Sequence, residues 1–141
     1  MHLTDDEKKK IRASYALIKP EADRVSELFY PDLFNRAPKL RKLFPDDMRE
    51  QGMRFMAAIA FIIDNLDDEA ELNRRLDLLA EGHAPFKLLP MDYREMQEAL
   101  IDSIAEALKS KFTDDVQLAW RSAFDQICNE MIKRSGTELA T

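Results

Sequence analysis

The chain has 141 residues, 45% of them apolar and 34% charged, with a formal net charge of −6, which is enough to bury about two thirds of its unfolded surface around one core. The acidic balance excludes a nucleic-acid partner and disfavours an anionic membrane surface, and the longest apolar run, Phe55 to Ile63, is far too short to span a bilayer. Three scattered glycines and one cysteine, Cys128, exclude a phosphate-cradling nucleotide or flavin module and an internal disulfide, and the first ten residues lack the apolar core of a signal peptide, so the expected location is cytoplasmic.

Thr4 Asp5 Asp6 Glu7 reads as a capping box that opens a first helix, with Ile11, Tyr15 and Ile18 as its buried stripe and its end near Lys19. Pro20 opens a second helix, with Glu21 and Asp23 in the first turn and Val25, Leu28, Phe29, Leu33 and Phe34 on the apolar face. Pro31 falls inside it and is read as a kink, at a cost of roughly 3 kcal/mol for the lost backbone bond. Ala37 Pro38 starts a short turn of helix ending at Phe44 Pro45, and Asp46 or Asp47 caps the next helix, which runs to about Leu66. Its inward stripe is Met48, Gln51, Phe55, Ala58, Ile59 and Ile62, so a polar amide, Gln51, sits on an apolar face. Asp67 Asp68 Glu69 lead into a helix that ends at His83. A long helix from Pro90 to Lys111 carries Met96, Leu100, Ile101, Ile104 and Leu108 inward, and the last helix runs from Thr113 through Trp120, Phe124, Ile127 and Met131 to about Ser135. No alternating run or Asn-Gly turn signals a strand. The expectation is a single all-α domain over residues 1–141, with about seven helices, a core over about 3–135 and a disordered tail at 136–141. Cys128 on its helical stripe reads as a small buried hydrophobe.

His83 is the one histidine away from the N-terminus. Leu76, Leu79 and His83 share a helix face, and Pro85 and Pro90 break the chain just beyond. An imidazole there is either a core histidine suited to the negative end of a helix dipole or a metal ligand. No second histidine, cysteine pair or EXXH pattern stands near it, so a metal at His83 would have to bring its own ligands, as haem does.

The run Leu28 Phe29 Tyr30 Pro31 Asp32 Leu33 Phe34, followed by Ala37 Pro38 and Leu43 Phe44 Pro45, resembles the B, C and CD region of a bacterial globin. Gly82 His83, Tyr93 ten residues on, and Ala119 Trp120 resemble its F, G and H helices. The likeness spans Leu3 to about Ser135 and is to single-domain globins related to the haem domain of flavohaemoglobins. It implies a globin fold and a haem b cofactor, with His83 as the proximal iron ligand and Phe44 as the phenylalanine wedged against the porphyrin. It places Tyr30 and Gln51 at the distal ligand-stabilising positions, Phe55 over the iron from the same helix as Gln51, and Phe86, Leu88, Tyr93 and Met96 against the cofactor. A shift of register along that helix would put Met48 or Gly52 over the iron instead.

Iron held by one neutral imidazole keeps a sixth position open for O₂, CO or NO. A donor such as the Tyr30 hydroxyl or the Gln51 amide would hold bound O₂ through a bond of about 1.5–3 kcal/mol, and slow release follows. Arg41, Arg54 and Lys87 are candidates for the propionates. The resemblance also implies a glutamate beside Tyr93 that polarises the proximal histidine, but the matching position, fifteen residues after Trp120, is Ser135. Glu130 faces another side of the helix and Glu138 lies in the expected tail. The implied activity is reversible oxygen binding, for transport or storage. The alternatives are nitric oxide dioxygenation, a detoxifying reaction that would need a separate reductase, and gas sensing.

Overall fold

The computed structural model describes residues 1–135; the expected tail, Glu138 included, lies outside the described residues. Six α-helices and four 3₁₀ turns make up the described chain, and no strand occurs in it. The helices are α1 (Asp5–Ile18), α2 (Ala22–Arg36), α3 (Arg49–Asp64), α4 (Glu69–His83), α5 (Pro90–Leu108) and α6 (Asp114–Ser135). No helix among them is long and apolar enough to cross a membrane.

The capping box at the start of α1 is reciprocal: the Glu7 backbone N–H donates to Thr4 Oγ1 at 3.1 Å and the Thr4 N–H donates to Glu7 Oε1 at 2.8 Å. Ser14 is more deeply buried than the expected Tyr15, because its hydroxyl accepts the Trp120 indole N–H at 2.7 Å and donates to the Lys10 carbonyl at 2.7 Å. That bond ties the largest buried side chain of α6 to α1 and satisfies an indole donor that burial would otherwise penalise. Pro20 lies in a 3₁₀ turn, Lys19–Glu21, that joins α1 to α2, so α2 starts at Ala22. Pro31 is accommodated inside α2, which continues to Arg36.

The segment after α2 forms a 3₁₀ turn, Pro38–Leu43, and Phe44 is extended. The next helix starts at Arg49, later than the aspartates suggest: Met48 occupies the cap position, and Asp47 serves the Arg49 amide (3.1 Å) from one residue further out. Asp68 caps α4 by accepting the Glu71 N–H at 3.2 Å. The α5 pattern ends at Leu108 rather than Lys111, because Lys109 takes a positive φ of 51° and turns the chain into a 3₁₀ turn.

Helix α2 packs on α5 and α3, α6 packs on α4, α5 and α1, and α3 and α4 have no extensive contact with each other. These two helices therefore face each other across an open space. Arg134 fixes α4 in place: its guanidinium donates to the Asn73 carbonyl (3.1 Å), Asn73 Oδ1 (3.0 Å), Asp77 Oδ1 (2.6 Å) and Glu130 Oε2 (2.9 Å). One side chain that satisfies four acceptors on two helices holds the His83 helix to α6.

Candidate functional site

The space between α3 and α4 is an apolar slot. Its outer part, about 350 Å³, is bounded by Phe29, Tyr30, Leu33, Leu40, Leu43, Phe44, Gln51, Arg54, Phe55, His83, Phe86, Leu88 and Met96. A deeper part, about 130 Å³, shares Phe29, Phe55, His83 and Met96 with it and adds Leu79, Tyr93 and residues of α5 and α6. Every expected site residue thus lines one part or both: Tyr30, Phe44, Gln51, Phe86 and Leu88 the outer part, Tyr93 the inner, and Phe55, His83 and Met96 both.

His83 sits in the last turn of α4, and its Nδ1 lies 2.6 Å from the Leu79 carbonyl. A carbonyl oxygen can only accept, so Nδ1 carries the proton, and in the neutral ring the Nε2 lone pair is left for another partner. The helix supplies this orientation itself, because Leu79 lies one turn back on the same face as His83. The chain then passes through a 3₁₀ turn, Ala84–Phe86, into Lys87 at a left-handed φ of 52°, which folds Phe86 edge-on to the imidazole at 6.4 Å.

Across the slot stand Tyr30 of α2 and Gln51 of α3. The Gln51 amide donates to Tyr30 Oη at 3.2 Å, which leaves the phenolic proton for a further acceptor. Tyr30 is buried, and burial pushes its pKa above the ordinary value, with the Gln51 bond acting in the opposite sense. Its ring is held by edge contacts with Phe29 (4.8 Å), Phe44 (5.5 Å) and Phe55 (5.9 Å), and Phe29 stacks on Phe55 at 4.4 Å.

Helix α3 carries two stripes with different neighbours. Gly52, Met56, Ile59 and Ile63 are buried, and at Gly52 an added Cβ would lie 2.8 Å from Ser26 Oγ and 3.1 Å from Ser26 Cβ. Gly52 therefore marks the close crossing of α3 and α2. Met48 lines a neighbouring groove that shares Tyr30 with the slot, and Gln51 and Phe55 line the slot itself. Of the cations, Arg54 is at the slot, paired with Glu50 at 2.5 Å. Arg41 is engaged elsewhere, donating to the carbonyls of Phe44 (3.2 Å) and Pro45 (3.0 Å) and lying over the Phe34 ring.

Behind His83, burial pushes the Tyr93 pKa up, and the nearby Ser135 side chain lowers it in part, although the buried Tyr93 hydroxyl makes no hydrogen bond of normal geometry among the described residues. Ser135 therefore does stand beside Tyr93, where the resemblance implies a carboxylate. Cys128 has its thiol pushed up to about 12, by burial first and by Asp125 second, which marks it as unreactive. A feature not legible in the sequence is Asp92, buried at the start of α5, where it accepts the Leu89 N–H at 2.8 Å and pairs with Lys39 at 3.2 Å. That pair joins the start of α5 to the 3₁₀ turn Pro38–Leu43.

An apolar slot with a single oriented imidazole on one wall and a hydroxyl–amide pair on the other suits a flat apolar cofactor that carries its own metal. Among the described residues no cluster of three or more His, Cys, Asp or Glu could hold a bare metal ion, so the donor set suits a metal that arrives with four ligands of its own. The globin family model matches residues 27–131, and the chain belongs to the globin family, which implies a haem cofactor.

The chain is 25% identical over 137 residues to a flavohemoprotein of Vibrio cholerae, covering 95% of this chain and 35% of that protein. It is 25% identical over 130 residues to an uncharacterized globin-like protein of Aquifex aeolicus, covering 92% of each. It is also 25% identical over 133 residues to cytoglobin-2 of Danio rerio, with 84% and 74% covered. The chain spans about a third of the length of the flavohemoproteins it matches.

Proposed function

We propose that this globin holds haem b through His83 Nε2 and binds O₂ reversibly, with CO and NO as alternative ligands. The observation that carries the reading is the pairing, across one slot, of an imidazole oriented by the Leu79 carbonyl with a Tyr30 hydroxyl whose proton is not used by Gln51. Haem supplies an iron whose sixth position takes a diatomic ligand. The side chains of this chain do the rest. Phe44, Phe55, Phe86, Leu88 and Met96 exclude water and hold an apolar plate. Tyr30 donates to a ligand on the far side, and Gln51 keeps the phenol from turning away. Arg54 at the slot is placed to meet a propionate.

Nitric oxide dioxygenation with a separate reductase is the competing use. Ser135 beside Tyr93 counts against it, because a hydroxyl polarises the proximal imidazole less than a carboxylate would. The deciding experiment is an optical spectrum of the purified protein, ferric, ferrous and CO-bound, beside His83→Gly with and without added imidazole. The expected result is a Soret band that shifts on reduction and CO binding, is altered in His83→Gly, and is restored by imidazole. Protein that emerges colourless from haem-replete cells and refuses added hemin overturns the reading.

A further inference from the structure

The groove that Met48 lines is open to solvent, has a volume of about 610 Å³ and lies between α2 and α3 on the outer side of Tyr30. Asp23, Glu27, Pro31 and Phe34 line it as one stripe of α2, acidic in its first half and apolar in its second. Met48 and Met53 extend the apolar part, and Met53 leaves 68% of its surface in solvent. The polar groups that α2 offers the groove all accept. Neither the Asp23 nor the Glu27 carboxylate has an ion-pair partner among the described residues, and Arg24, next to Asp23 in the chain, reaches away to Glu106. Pro31 has no N–H, so the Glu27 carbonyl lacks its α-helical donor. The Ser26 hydroxyl commits its proton to the Asp23 carbonyl at 2.9 Å. The two arginines on the groove are engaged as well, Arg49 with Asp47 at 2.7 Å and Arg41 with the carbonyls of Phe44 and Pro45. A molecule that satisfies this surface must therefore bring donors and positive charge, and the apolar half of the stripe asks for an apolar body beside them. A protonated primary amine supplies both, since an ammonium group donates and never accepts.

We propose that this groove binds a small organic cation, a protonated primary amine on an aromatic or short aliphatic body, with the ammonium between Asp23 and Glu27 and the body along Pro31, Phe34 and Met53. The groove shares only Tyr30 with the slot, and the proposal does not depend on the haem reading.

Phenylethylammonium is the probe, titrated calorimetrically into the CO form, in which the iron has no position left for an amine. One saturable site per chain is expected. Binding should be roughly tenfold weaker for phenylacetate, which has a similar body and the opposite charge, and for methylammonium, which has the charge without the body. Affinity for the probe should fall as salt rises. The double variant Asp23→Asn, Glu27→Gln should weaken the probe by roughly tenfold, and Glu27→Lys should abolish its binding. Both positions are exposed, so the variants are expected to fold, which a thermal melt checks. In crystals soaked with the probe, the ammonium is expected between the two carboxylates. Equal affinity for phenylacetate or methylammonium overturns the proposal, as does a probe indifferent to both variants, and so does the absence of saturable heat. Density for the probe only in the His83 slot overturns it too. Protein that takes up no haem fails the haem reading, while the same charge and variant comparisons on the protein as purified still decide the groove.

Discussion

Under the proposed function Tyr30 donates to the bound ligand, and its burial suits it to that role. Burial raises its pKa above the ordinary value of 10, so the phenol keeps its proton throughout the neutral range. Its oxygen already accepts from Gln51, so the proton points to a different partner. A hydrogen bond to a polarised ligand is worth about 1.5–3 kcal/mol, and 1.4 kcal/mol is a factor of ten. Tyr30→Phe is therefore expected to raise the O₂ dissociation rate roughly tenfold or more in stopped-flow displacement by CO. Gln51→Leu should have a smaller effect in the same direction, because it removes only the group that orients the phenol. An unchanged rate in Tyr30→Phe would mean that the hydroxyl does not reach the ligand. The dissociation rate of the unaltered protein should be flat between about pH 6 and 9, since no distal group ionises there.

At the scale of the helix, α3 carries two apolar stripes with different tasks. The stripe through Gly52 packs on α2, and the stripe through Gln51 and Phe55 borders the slot. Gly52→Ala tests the first. The substitution gains about 1 kcal/mol of helix propensity, but the new Cβ meets Ser26 Oγ at 2.8 Å and Ser26 Cβ at 3.1 Å. The hydroxyl could rotate at the loss of its bond to the Asp23 carbonyl (2.9 Å), whereas the Ser26 Cβ moves only with its backbone. Overpacking of this kind costs about 1–3 kcal/mol, so the expected net effect is a loss of about 1 kcal/mol in urea denaturation. Gln51 should shift with its neighbour, giving faster O₂ release; a gain in stability would show that the crossing is looser than it looks.

The same helix shows what the sequence carries. Periodicity placed α3 and one inward stripe through Gln51 and Phe55, but not the buried face through Gly52 and Met56, and a helix apolar on two adjacent faces does not say which face meets α2. Only the contact of Gly52 with Ser26, 26 positions away in the chain, decides between Gln51, Gly52 and Met48. His83 was legible because two prolines and a leucine stripe are local signals. The Asp92–Lys39 pair and the Ser14–Trp120 bond were not, since nothing local distinguishes a buried aspartate or serine from an exposed one. Charge alone made Arg41 a propionate candidate; its donation to the Phe44 and Pro45 carbonyls was not legible in the sequence.

For the whole molecule, stability is expected to depend on pH in one direction. Tyr30, Tyr93 and Cys128 are all neutral when protonated, and burial raises all three pKa values, Cys128 to about 12. The native state then holds its protons at higher pH than the unfolded chain does. Their contribution is fully present below the ordinary thiol value of 9 and is lost as pH climbs past 9 and 10 toward the raised values. Denaturation midpoints should fall between about pH 8 and 11, less steeply in Cys128→Ala. In the folded protein at about pH 8 the thiol should also resist alkylation.

Haem removal makes the largest demand on the fold, because the slot has no side chains of its own to fill it. Phe29, Phe55, Leu79 and Met96 border it from four helices, and α3 and α4 make little contact across it. The core on that side is therefore incomplete as a protein core, and the missing contacts belong to the cofactor. A ligand present at a thousand times its dissociation constant stabilises by about 4 kcal/mol. For a domain of this size each kcal/mol moves Tm by roughly 3–4 °C. Acid–butanone extraction is expected to lower Tm by roughly 10–15 °C, with α3 and α4 losing hydrogen-exchange protection before the α1–α6 contact, which Trp120 and Ser14 hold without the cofactor. Re-addition of hemin should restore both, and His83→Gly should weaken the recovery. An extracted protein that melts at the original temperature, with α3 still protected, would mean that the helix closes on α4 and completes the core alone, leaving the slot no occupant to await.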